Sequence, residues 1–138
     1  MKGVDTPLLL ALLEGKPGAE VLTQAEGDQE LCTTEVNLLE LEVLARSGAK
    51  EGRARRLASL DRLRHRMGVL PVDERASRAG ALLASQNSVA LPAATWLVLG
   101  ALHAAGATEL LTTEASGLSA VKVPFRITSV RRRHPKGR

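Results

Sequence analysis

Three carboxylates far apart in the chain raise the functional question. Asp5 closes the short run MKGVD, Glu40 follows the segment ELCTT by a few residues, and Glu114 comes directly after TELLTT. Each stands just beyond a stretch with strand character, and Thr6, Asn37, Thr112 and Thr113 accompany them. If these strands run parallel, all of these residues collect at the carboxyl edge of one sheet, where open α/β folds bind their ligands. A hard divalent cation such as Mg²⁺ takes oxygen ligands, commonly one or two carboxylates completed by water and substrate phosphate. Such a cation activates water and neutralises charge developing on a phosphodiester, so the set points to phosphodiester hydrolysis. The same residue types also cap helices. Asn37 and Glu40 form a capping-box-like pair, Asp5 flanks a helix start at Thr6, and Glu114 reads equally as an exposed turn residue.

The elements that must hold these residues alternate along the chain. MKGVD is a short strand, and TPLLLALLEG is a helix with Thr6 as cap, Pro7 in the first turn and Gly15 at its end. KPGAEVLTQAEGDQ begins as a turn and continues as a second short helix. ELCTT is a strand, and the pattern from Asn37 predicts a helix from about Leu38 to Arg46. A long basic helix then runs to Met67, with Ala54, Leu57, Leu60, Leu63 and Met67 at helical spacing. VLPV reads as a strand, Asp73 caps the helix ERASRAGALLAS, and QNS is a break. LPAATWLVLGALHAAG is the most apolar helix, and TELLTT and VKVPFRI are the last two strands. Such alternation predicts a parallel sheet covered on both faces.

With 138 residues the chain is long enough for one domain with a core and too short for two. Its 1% aromatic content, Trp96 and Phe125, leaves the core to Leu, Val and Ala and argues against stacked aromatic platforms for single strands. A single cysteine, Cys32, excludes an internal disulfide and a cysteine-rich zinc site; it is expected to be a small core residue in a reducing cytoplasm. The run from Ser88 to Thr108, broken by Pro92 and His103, is not a convincing membrane span, and PLLLALL behind Asp5 makes a poor signal peptide. No dinucleotide fingerprint, P-loop, paired histidines or Ser-His-Asp arrangement is present. His103 is expected to be half-buried, and Glu35 and Glu109 to be surface residues.

Net charge is +4, and the cations are clustered. Arg46, Lys50, Arg53, Arg55, Arg56, Arg62, Arg64 and Arg66 fall in one stretch, and Arg131, Arg132, Arg133, Lys136 and Arg138 form the tail. Two such clusters fit a polyanion partner and equally fit a solvated helix face with a disordered end. The domain is therefore drawn at residues 1–128, with 129–138 as a basic, flexible tail able to follow a phosphate backbone.

Three segments resemble the PIN-domain family, in particular toxins of the VapC type. VDTPLLLALLEG is similar to the first family block, an aspartate ending strand one and followed by Thr or Ser. TTEVNLLELE is similar to the second, whose glutamate falls at Glu40 rather than Glu35. LPAATWLVLGALHAAGATELLTTEASG is similar to the third, an Asp-led Ala-Ala-Thr helix followed by a strand ending in Leu-Leu-Thr and an acid, here Glu114. The likeness runs from Val4 to about Phe125. It implies a three-layer α/β/α domain with a mainly parallel sheet and Mg²⁺- or Mn²⁺-dependent cleavage of RNA. It further implies homodimers and, in many members, a small antitoxin protein. On this basis Asp5 is the main metal ligand, Glu40 orients the attacking water, and Glu114 completes the outer shell. Thr6, Thr112, Thr113, Arg53, Arg56, Arg131, Arg132 and Arg133 are the RNA contacts. One position departs from the family: alignment on Ala93-Ala94-Thr95 puts Val89 where a third acid belongs, and no shift of one or two residues finds a carboxylate. The loss weakens a cation site and relieves repulsion among the remaining acids. Two readings follow: an endoribonuclease with a degenerate site that binds metal weakly, or a catalytically inactive PIN-like module for RNA binding or oligomerisation.

Overall fold

Five strands order as β3-β2-β1-β4-β5, and every neighbouring pair is parallel. The strands are β1 (Lys2–Val4), β2 (Leu31–Thr34), β3 (Gly68–Leu70), β4 (Glu109–Thr112) and β5 (Arg126–Ser129). This is a computed structural model, and it describes residues 1–14, 30–113 and 115–130. Among these residues five α-helices, α1 (Thr6–Leu13), α2 (Glu35–Ser47), α3 (Arg53–Arg66), α4 (Glu74–Ser85) and α5 (Ala93–Ala104), and a short 3-10 helix, Ala115–Leu118, connect the strands. The short helix expected within KPGAEVLTQAEGDQ lies outside the described residues, as do Gly15, Glu114 and the tail from Arg131. No described helix is long and apolar enough to cross a membrane.

The strands alternate their side chains between two cores, as period-two geometry requires. Val4 and Leu111 join Leu8, Leu9, Leu38, Leu41, Leu60 and Leu63 on the face covered by α1, α2 and α3. Cys32 and Leu110 join Trp96, Leu99, Leu102 and Leu83 on the face covered by α4 and α5. The result is the expected three-layer α/β/α arrangement. At the α4–α5 crossing two glycines let the backbones touch. A Cβ on Gly100 would stand 2.3 Å from the Ala76 carbonyl oxygen, and one on Gly80 would stand 2.5 Å from that of Trp96.

Several boundaries move relative to the sequence pattern, each for a local reason. The second helix starts at Glu35 rather than Leu38, because Thr34 is its cap and its side chain accepts the Asn37 N–H. The Asn37–Glu40 capping box is therefore not formed. β3 stops before Pro71, and β5 starts beyond Pro124, since proline has no N–H for a ladder. β5 ends at Ser129, and the Val130 N–H still reaches the Thr112 carbonyl at 2.7 Å. Glu109 is buried rather than superficial, at 9% exposure. It pairs with Lys2 at 3.3 Å and accepts a hydrogen bond from the Thr128 hydroxyl, tying β4 to both of its neighbours, β1 and β5. Burial alone would push its carboxyl up. The Thr128 hydroxyl, the Lys2 hydrogen bond and charge, and the Arg126 charge outweigh that and hold it below its ordinary value of 4.5. His103, expected to be half-buried, is exposed. Cys32 is a core residue at 1% exposure, and burial pushes its thiol up to about 11.

Candidate active site

The parallel register carries the ends of β1, β2 and β4 to one edge. Gly3 aligns with both Cys32 and Leu110, and Val4 with Leu111. Asp5 is the residue at which β1 gives way to α1. Its backbone N–H continues the ladder to the Leu111 carbonyl at 3.3 Å, and its side chain caps α1 by accepting the Leu8 N–H at 3.3 Å. Capping does not by itself preclude metal ligation, because a carboxylate offers about four lone-pair sites and a cap bond takes one.

Glu40 is brought to the same edge by the second turn of α2. Thr6, next to Asp5, donates its hydroxyl proton to Glu40 Oε1 at 2.8 Å. Asn37 donates from Nδ2 to the same Thr6 hydroxyl at 3.0 Å, and its Oδ1 accepts from Thr34 Oγ1 at 2.8 Å. Thr33 donates to the Val4 carbonyl at 2.9 Å. Hydroxyls and one amide thus link the ends of β1 and β2 with the first turns of α1 and α2. Glu40 is exposed, whereas Asn37, Thr33 and Thr34 are buried. Thr113 stands exposed at the end of β4, one residue before Glu114. Among the described residues no group of three His, Cys, Asp or Glu side chains could hold a metal ion.

The α2–α3 pair fixes where the positive charge lies. At one end Arg64 pairs with Glu35 at 2.5 Å, beside the close of β2. At the other end Arg56 donates to the carbonyls of Ala45, Ala49 and Glu51 at 3.1, 2.6 and 3.2 Å, closing the turn between the helices. The two helices are therefore antiparallel, and the thirteen residues of α2 separate their ends by about 20 Å. Arg53 and Arg56, expected as RNA contacts near the acids, sit at the far end, and the Arg56 guanidinium is engaged by backbone. Arg62 and Arg66 are exposed at the near end. Thr112, expected to face RNA, is fully buried at 0% exposure. Arg131, Arg132 and Arg133 lie outside the described residues.

Val89 is half-buried in the connection between α4 and α5 and packs against the second core, as does Val36 from the first turn of α2. The polar neighbour Asn87 is committed to backbone groups. Its Nδ2 donates to the carbonyls of Leu83 at 2.8 Å and Lys122 at 3.0 Å, and its Oδ1 accepts the Lys122 N–H at 2.7 Å. Helix α5 begins only at Ala93, after Pro92. The region where a third acid was sought thus offers an apolar side chain and an amide used as a backbone bracket.

Sequence reasoning undervalued Asn37, which it read as a cap. The signal was the pair Thr33-Thr34 at a strand end, because a polar residue three places after a capping threonine falls in the first helical turn.

The fold is similar to several solved structures. VapBC2 from Rickettsia felis, bound to a DNA fragment from its promoter, superposes at a TM-score of 0.80 with 12% identity, covering 93% of this chain and 97% of that one. DNA-bound VapBC from Salmonella typhimurium gives 0.76 with 20% identity, covering 93% and 96%. VapC20 from Mycobacterium tuberculosis, a sarcin-ricin loop cleaving toxin, gives 0.64 with 15% identity, covering 90% and 98%. At these identities the likeness establishes the fold. No curated protein matches the sequence. The family model of the PIN domain matches residues 3–116, most of the sequence, and the chain belongs to the PIN domain family.

Proposed function

We propose that this chain is a divalent-metal-dependent endoribonuclease with a reduced acidic site, the toxin of a toxin–antitoxin pair. The observation that carries the reading is the meeting of Asp5 with the Thr6–Glu40 hydrogen bond at the carboxyl edge of a parallel sheet. PIN domains are generally divalent-metal-dependent, and the donor set suits a hard cation, since Asp5 and Glu40 offer carboxylate oxygens. Asp5 and Glu40 would hold Mg²⁺ or Mn²⁺, with Glu114 closing the outer shell. When bound, the cation supplies activation of water and stabilisation of phosphoryl charge. The chain's own residues perform the rest. Glu40, fixed by Thr6, accepts a hydrogen bond from the attacking water, and Thr113 presents a hydroxyl at the end of β4. The arginines at the near end of α3, with the tail arginines Arg131, Arg132 and Arg133, attract the phosphate backbone. VapBC complexes among the similar structures support an antitoxin partner; a homodimer in the cytoplasm is the assembly proposed.

A second reading has its own observation. Val89 packs against an apolar core at the position the resemblance assigns to an acid, and Asn87, a neutral amide, is committed to the Leu83 and Lys122 backbone and brings no charge to replace it. Under that reading the chain is a non-cutting RNA-binding or oligomerisation module. Incubation of structured RNA with the purified chain and Mn²⁺ separates the two. The enzyme cuts, and Asp5→Asn abolishes cutting while preserving the cap, since asparagine caps helices as well as aspartate. RNA binding that is equal with EDTA or Mn²⁺, with no cleavage, establishes the module.

A further inference from the structure

Asn37 is a buried polar side chain, 3% exposed, that neither helix capping nor the proposed ligand pair uses. The direction of its hydrogen bonds follows from its neighbours. The Asn37 backbone N–H occupies an acceptor site on Thr34 Oγ1 at 3.3 Å, and the Thr34 proton turns to Asn37 Oδ1 at 2.8 Å. Thr33 Oγ1 stands 3.3 Å from the same Oδ1 and makes its shorter bond, 2.9 Å, to the Val4 carbonyl. With Oδ1 facing hydroxyl donors, Nδ2 is the end that faces Thr6 Oγ1 at 3.0 Å. A hydroxyl has a single proton. Because the Thr6 oxygen receives the Asn37 N–H, its own proton is directed to Glu40 Oε1 at 2.8 Å. The relay therefore has one polarity, from strand end to amide to hydroxyl to carboxylate.

We infer that Asn37 and Thr6 are positioning residues that hold the exposed Glu40 carboxylate in one orientation beside Asp5 before any cation arrives. The inference rests on reading Asp5 and Glu40 as a metal pair. A solvent-exposed glutamate otherwise samples several staggered rotamers, and ordering it opposes binding. A charge-assisted hydrogen bond from a threonine that is itself anchored by a buried amide removes that freedom in the free protein. Pre-organisation of this kind strengthens binding by lowering the ordering cost, without adding a contact to the ligand.

The test uses the full chain and four forms: wild type, Thr6→Val, Thr6→Ser and Asn37→Asp. Valine keeps the shape and loses the donor, serine keeps the donor, and aspartate turns the Thr6 proton away from Glu40. In the metal-free protein, three-bond couplings from Glu40 Cγ to the backbone nitrogen and carbonyl carbon report its side-chain rotamer. One rotamer is expected in wild type and Thr6→Ser, and averaging in Thr6→Val and Asn37→Asp. Calorimetry with MnCl₂ should show affinity about threefold to tenfold lower for Thr6→Val, the size expected for one net hydrogen bond, with recovery in Thr6→Ser. Identical couplings in wild type and Thr6→Val would overturn the inference, and the Thr6 variants decide it even if Asn37→Asp does not fold. Couplings that separate the variants while wild type binds no Mn²⁺ would uphold the positioning and defeat the metal reading. Mn²⁺ binding that is lost in Asp5→Asn but unchanged in Thr6→Val, with unchanged couplings, would do the reverse.

Discussion

Substituting aspartate for Val89 asks whether the side chain that the resemblance aligns with an acid is part of the core. Val89 is half-buried against the cluster that contains Trp96, Leu99 and Leu83. Full burial of a valine side chain is worth about 1.5–3 kcal/mol, so half-burial contributes about 1 kcal/mol. A carboxylate placed there loses that contact and is partly desolvated, which adds about 1 kcal/mol when full burial of an unsatisfied polar group costs about 1–3. The metal-free Val89→Asp variant should therefore be about 2 kcal/mol less stable than wild type. For a domain of this size that corresponds to a fall in Tm of roughly 6–10 °C. Mn²⁺ should reverse the loss, because ligand at about 100 times its Kd stabilises the folded state by about 2.7 kcal/mol. Val89→Asn is the control, with the same shape and desolvation and no charge. The assay is thermal unfolding of the three proteins with EDTA and with a series of Mn²⁺ concentrations. Equal Mn²⁺ responses in the Asp and Asn variants would refute the expectation that position 89 corresponds to the missing acid. A Val89→Asp protein that melts at the wild-type temperature in EDTA would refute its role in the core.

Two further predictions concern the scaffold. Gly100→Ala should destabilise the protein by about 1–3 kcal/mol through overpacking, because the new methyl would meet the Ala76 carbonyl oxygen and the backbone of Gly80; urea denaturation measures it, and an unchanged midpoint would contradict the close helix crossing. Glu109→Gln should cost about 1–3 kcal/mol at neutral pH through the weakened pairing with Lys2 and Thr128. The wild-type carboxyl sits below its ordinary value of 4.5. Its stabilising contribution is therefore complete above that value and is lost as pH falls through the lower, folded-state value. Acid titrations of stability should converge for the two proteins below that range, and parallel curves would show that Glu109 is not the group responsible.

Much of the sheet was legible because it is local. Short apolar runs that each end at a turn or cap identify β1, β2 and β4, and of the acids expected at their ends Asp5 and Glu40 do share one edge, while Glu114 lies outside the described residues. What the sequence hid depends on partners distant along the chain. Glu109 reads as a surface acid until Lys2 from β1 and Thr128 from β5 are placed against it. Thr34 and Asn37 are both good caps three residues apart, and only the packing of Leu38 and Leu41 into the first core decides between them. The arginines of α3 share one stretch of sequence, and the antiparallel turn held by Arg56 decides which of them lie beside the close of β2, Arg64 rather than Arg53. Charge spacing has no access to that reversal. Asn87 offers a similar lesson, since its bracket on Lys122 joins segments that no periodicity relates.

Asp5 and Glu40 are proposed to form a divalent-cation site on this PIN framework. Calorimetric titration of MnCl₂ into the wild-type chain and into Asp5→Asn tests it most directly, because asparagine keeps the α1 cap and removes only the charge. One weak site in wild type and none in Asp5→Asn is the predicted result. Equal heats from the two proteins would contradict it and leave a fold that has kept its architecture without its metal.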